Sequence, residues 1–340
     1  MKRTGVIVAS VVAGVASVAA PASAAATPGV VLVVASEIVR YNAGNQAHNV
    51  VFTRSGRTVT VDDVVAIRAG AGCSAVSGDR TKVRCTTPVE PLWVQAFLGD
   101  RNDTVVNRTD LAMSADGGNG NDRITGGPRG DRLRGSDGND AIWGLGGDDY
   151  LSDQSGTNAL SGGDGDDSVF GGEGNDRIYG GNGNDTINGY VGNDIEDGGP
   201  GDDVFSQNAD PWKSDADAFV GGSGFDTVSY ELRAKPVAAD PDAVKGDDGA
   251  AGEHDTLGTS IEAVTGGRGN DRLIGSVRDE EFRGGPGNDV IAAGGGDDHL
   301  WGDSGNDYLN GASGSDTVNG GPGSDTCIPD AADTFAECEK

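Results

Sequence analysis

Between Gly117 and Ser206 one aliphatic or aromatic side chain returns at every ninth position, with Gly, Asn and Asp filling most of the space between. The 90 residues divide into ten units of the form G-G-x-G-x-D-x-U-x, without insertion. Position eight (U) is Ile124, Leu133, Ile142, Leu151, Leu160, Val169, Ile178, Ile187, Glu196 and Phe205, apolar in nine of the ten. Self-similarity at a fixed period is the mark of stacked coils, in which each unit buries its apolar residue only against its neighbours. Two units depart from the pattern, DQSGTNALS from Asp153 and GYVGNDIED from Gly189, and they are the expected weak links.

The same frame returns from Gly266 to Ile328 as seven further units, with Leu273, Phe282, Ile291, Leu300, Leu309, Val318 and Cys327 at position eight. Between the two blocks stands an isolated repeat, GGSGFDTVS, at Gly221 to Ser229. A polar insertion follows, and the frame resumes with Glu262 in the Asp place and Val264 in the apolar place. Before the repeats the pattern is different. VVLVV at Val30, NVVF at Asn49, TVTVDDVVAI at Thr58 and PLWVQAFL at Pro91 read as short β segments of a small domain or cap.

The first 24 residues form a third pattern: Lys2 and Arg3, an apolar run from Val6 to Ala20, then Ala22-Ser23-Ala24. This reads as a cleavable export signal. The expected organisation is therefore a signal peptide (1–24), a β domain or cap (25–97), a first repeat block (98–206), an insertion with an isolated repeat (207–265), a second block (266–328) and a C-terminal cap (329–340). No second apolar run is long enough to span a membrane.

Composition changes the picture by showing what apolar burial cannot do here. The 340 residues include 59 glycines, only 35% are hydrophobic, and the formal net charge is −29. Of the 54 acidic residues 43 are Asp, the short carboxylate suited to turns. Such a charge attracts cations and argues against nucleic acid as a partner. Four cysteines fit an oxidising compartment, and the two local pairs, Cys73 with Cys85 and Cys327 with Cys338, are the favoured disulfides. The first is expected to staple a hairpin turning at Ser77-Gly78-Asp79, and the second to fold the tail over the last coil.

The nonapeptide units resemble the RTX, or hemolysin-type, calcium-binding repeat, over 17 in-frame units. The resemblance implies an all-β fold, a parallel β-roll (RTX solenoid) in two blocks. In it the first six residues of each unit form a calcium-binding turn, the last three a short strand, and turns 18 residues apart stack on one edge. It further implies that the position-six carboxylates bind Ca2+: Asp122, Asp131, Asp140, Asp149, Asp167, Asp176, Asp185, Asp194 and Asp203 in the first block, with Asp271, Asp289, Asp298, Asp307, Asp316 and Asp325 in the second. At the 18-residue spacing they form ten pairs, six in the first block and four in the second. The residue types agree with that chemistry, since calcium takes six to eight oxygens, more than one turn offers, and a turn directing carbonyls inward needs the positive φ that Gly adopts at least cost. Folding and the uptake of several calcium ions are then expected to be one equilibrium.

Catalytic motifs are missing from this frame. Gly302-Asp303-Ser304-Gly305 is positions one to four of a repeat, and no HExxH, GxSxG or GxxxxGK[ST] occurs. Asp215 and Asp217 begin like an EF-hand, but Phe219 stands at the third ligand place, so they read as loop carboxylates. His48, His254 and His299 are scattered and read as solvated. The expectation is a secreted, non-enzymatic, calcium-binding structural or binding module. A calcium-dependent adhesin or matrix component with a cell-surface or matrix partner is the alternative, and an enzyme or toxin fragment carrying the repeats as an appendage is less favoured.

Overall fold

Within each unit the side chains at positions seven to nine alternate outward, inward, outward, the period of a strand. In a computed structural model, which describes residues 26–207, 215–328 and 330–339, those three positions are extended throughout the regular repeats. The expected leader at 1–24 lies outside the described residues. Many strands run on into positions one to three of the next unit, as in Arg177–Asn182, where Ile178 and Gly180 are buried and Arg177 and Tyr179 are exposed. No helix is present among the described residues. The protein is a parallel β-roll.

Consecutive units alternate between two sheets, so a strand pairs in parallel with the strand 18 residues away: Arg177 lies beside Ala159, and Thr186 beside Ser168. The position-eight side chains of both sheets meet in one apolar seam, and all of them from Ile124 to Ile187 are buried. Burial of each is worth about 1.5–3 kcal/mol, so the seam aligns the coils while most of the ordering has to come from the turns.

Residues 29–107 continue both sheets. Ile38–Asn42 pairs in parallel with Trp93–Phe97, which pairs with Ala112–Asn119, and Asn49–Ser55 pairs with Thr104–Asn107, which pairs with Arg123–Thr125. Antiparallel hairpins close this end. The outermost, Cys73–Val76 with Asp79–Thr86, turns at Ser77-Gly78 and carries the Cys73–Cys85 disulfide.

The junction between the blocks is asymmetric. One sheet, of 16 strands, runs unbroken through it, because Val204–Ser206, Thr227–Ser229, Ala263–Thr265 and Glu281–Pro286 pair in succession. The other sheet stops at Thr256–Leu257, and a new six-stranded sheet starts from the insertion, where Val237–Ala239 pairs with Gly249–Ala250 and with Arg272–Ile274. The C-terminal tail adds a coil. Thr334–Ala336 joins the long sheet beside Thr317–Asn319, Phe335 occupies the position-eight place beside Val318, and the Cys327–Cys338 disulfide ties the return.

Candidate metal centre

Turns carry the acidic chemistry, and glycine sets their spacing. At positions two and four the backbone takes positive φ, 128° at Gly181 and 130° at Gly183, and a Cβ on either would strike the carbonyl of Gly163 or Gly165 in the stacked turn. Position one needs room of another kind: a Cβ on Gly180 would occupy the place of Asp185 Oδ2 and lie 2.7 Å from the carbonyl of Gly198. Five units hold a non-glycine residue at position two in the left-handed region, Ser136, Leu145, Tyr190, Asp303 and Ala312, at φ from 63° to 87°. Each costs roughly 1–2 kcal/mol, so the coil imposes that geometry against local preference.

The position-six carboxylates form ladders along the roll. In all ten expected Asp pairs the backbone amide of the first residue donates to Oδ1 of the second, at 2.6–2.9 Å. The same link extends to residues the sequence reading had not placed. Asp103 accepts from His48 and its own amide donates to Asp122, Asp217 accepts from Asp194, and Asp255 accepts from Asp217. Asp226 accepts from Asp203, and Asp333 from Asp316. The reading of Asp217 as a loop carboxylate is corrected: it lies nine residues before Asp226, in frame, and is buried. A second ladder, of opposite sense, runs through position five. There Oδ1 of Asn or Asp accepts the amide of the following stacked turn, as Asp166 does from Asn184 and Asn288 from Asn306.

Oδ1 is thus satisfied by the fold, and Oδ2 decides what the turns can bind. In twelve of the fifteen expected ligands (all but Asp131, Asp271 and Asp325) Oδ2 is buried without a hydrogen-bond partner. Asp131 and Asp271 differ because their Oδ2 accepts the amide of Gly127 or Gly267 in the same turn, at 2.6 Å in each. Glu280 does the same with Ser276, and Glu262 takes an ion pair with Arg278 at 2.7 Å. In the unit with Asn158 at position six a carboxylate returns at position one, since Asp153, half-buried beside Asp140, also has a buried, unpartnered Oδ2.

Burial raises these carboxyls above their ordinary range, with neighbouring carboxylates adding to it. Asp149 is pushed up to about 8, Asp122, Asp185 and Asp289 to about 7, and Asp167 to about 6. Asp153 reaches about 8, through burial and then the charge of Asp140. Asp217 rises to about 10, through burial and then Glu196, and Glu196 itself is raised well above the usual carboxylate range by burial and then Asp194. A buried, unpartnered anionic oxygen costs on the order of 1–3 kcal/mol or more, and here it recurs coil after coil. Hard oxygen donors with glycine carbonyls beside them fit a calcium ion. A calcium ion held by these oxygens would supply the positive charge that offsets the mutual repulsion of the carboxylates.

His48 departs from the solvated reading. It is buried, with Nδ1 2.7 Å from both the Tyr41 hydroxyl and Asp63 Oδ2, while Nε2 accepts from the Gly44 amide at 3.1 Å. It ties the N-terminal hairpins to the first rung of the ladder.

The RTX calcium-binding nonapeptide repeat family model matches residues 116–151, 153–187, 170–205, 258–277, 274–309, 283–318 and 294–327. No curated protein matches the chain.

Proposed function

We propose, taking as premise that the chain is an RTX calcium-binding repeat protein, that it is exported and that its roll orders outside the cell as calcium fills the stacked turns. The observation that carries this reading is the row of buried Oδ2 oxygens without partners, on carboxylates whose Oδ1 already accepts a backbone amide of the stacked turn. Two disulfides and the basic-apolar-small pattern of residues 1–24 support export. The bound ions lie between successive coils, and the product of folding is a stiff rod with two glycine-rich edges. On this reading the protein is a structural or binding module rather than an enzyme.

The test is circular dichroism of the mature protein in chelator and in calcium. The expected result is a cooperative gain of β signal with a midpoint on the order of 10⁻⁴–10⁻³ M, the range of extracellular calcium modules. The same β signal in chelator as in millimolar calcium overturns it.

A further inference from the structure

One unit breaks the seam. Glu196 stands at position eight, where the other sixteen in-frame units place an apolar residue or Cys327. It is 0% exposed, inside the roll, between Ile178 and Phe219 in register along its sheet. Its Oε1 accepts the Gly189 amide at 3.1 Å, while Oε2 is buried and unpartnered.

Two rungs of the adjacent ladder converge on it. One carboxylate oxygen each of Asp194, Glu196 and Asp217 lies within 4.8 Å of the other two, and all three residues are buried. The free oxygens of Asp194 and Asp217 are also unpartnered. A second trio, Asp215, Asp217 and Asp255, shares Asp217, and both carboxylate oxygens of Asp215 lack partners. Arg233, the buried cation of this region, is committed to Glu253 at 2.9 Å and to Gln207 at 3.2 Å. A carboxyl in an apolar seam either takes a proton or has its charge compensated by a cation. Three oxygen donors at this spacing, with no nitrogen or sulfur among them, suit a hard divalent cation.

We propose that Asp194, Glu196 and Asp217 hold a calcium ion inside the roll, at the junction of the two blocks, in addition to the ions between edge turns. Glu196 is the residue that sets it apart, since it reaches the ion from the seam and the edge turns use no position-eight side chain. The site lies one strand pairing before the second sheet ends at Thr256–Leu257, and the ion joins the coil of Asp194 to that of Asp217 across the longer, 23-residue step between them.

Native mass spectrometry of the full-length mature protein in calcium counts the ions. Glu196→Gln keeps the shape and the Oε1 acceptor, and Glu196→Leu restores the apolar residue of the other units. Each variant is expected to carry one calcium fewer than the wild type, with the β signal in calcium retained. An unchanged count in Glu196→Gln overturns the proposal, whether or not Glu196→Leu folds, and so does the loss of more than one ion. A wild type that carries no calcium at all strikes the repeat reading as well, so the two failures are distinguishable.

Discussion

The amide of Asp167 donates to Oδ1 of Asp185 at 2.8 Å, and the amide of Asp185 donates to Oδ1 of Asp203 at 2.8 Å. Each carboxylate therefore works twice, one oxygen for the fold and one left over. Asp185→Asn keeps the first and replaces the second by an amide nitrogen. The expected outcome is a higher calcium midpoint for folding and the loss of about one to two ions by titration calorimetry, because each ion draws carboxylates from stacked turns. Glu231→Gln removes the same charge from an exposed position outside the repeats and is expected to leave the midpoint in place. Equal midpoint shifts in the two variants show that charge alone governs folding.

Asp131 gives the opposite result. Its Oδ2 is occupied by the buried Gly127 amide, so Asp131→Asn is expected to destabilise the roll by about 1–3 kcal/mol, the cost of leaving that amide without an acceptor. The number of bound calcium ions stays as in the wild type. Denaturant melts in saturating calcium give the first quantity and native mass spectrometry the second. Loss of an ion places calcium in this turn as well.

Acid and calcium act on the same oxygens with opposite consequences. The folded-state values of Asp122, Asp149, Asp185 and Asp289 lie at about 7 to 8, above the ordinary 3.8. A carboxyl raised on folding binds its proton more tightly in the folded state, so its contribution is fully present below pH 3.8 and is lost as pH rises through 7 to 8. In chelator the β signal is expected to be stronger at pH 5 than at pH 8. In calcium the order reverses for affinity: protons compete for the ligands, and the folding midpoint moves to higher calcium at pH 5. A chelated protein with less β structure at pH 5 than at pH 8 contradicts the assignment.

Much of this was legible in the sequence because the period is strict. Position eight predicts the seam from Ile124 to Ile187, and position six predicts the ten stacked pairs. Residues were missed where the count slipped. Asp103 sits 19 residues before Asp122 rather than 18, with Leu98 in place of the first glycine, so a rigid nine-residue frame passes over it. Asp217 and Asp255 follow steps of 23 and 38 residues, the coils that absorb the insertion. Asn158 keeps the ladder hydrogen bond of position six, while Asp153 supplies from position one the spare buried oxygen that Asn158 lacks, which no linear pattern states. The position-five ladder did leave a trace, Asn or Asp in most units, but its cause is the amide of the next stacked turn and appears only in three dimensions. The positive φ of Leu145 and Tyr190 was hidden because neither residue favours it.

The junction between the blocks gives the rod an uneven mechanical strength. Load applied along its length crosses there through the unbroken sheet, by way of three register pairs: Thr227 with Ala263, Val228 with Val264 and Ser229 with Thr265. On the opposite side the described strands of the two shorter sheets share no ladder, and the isolated antiparallel bridge of Asp248 with Asp255 is a far weaker link. A rod built this way is stiff in either arm and yields first at this junction, opening on one side while the other acts as the strap.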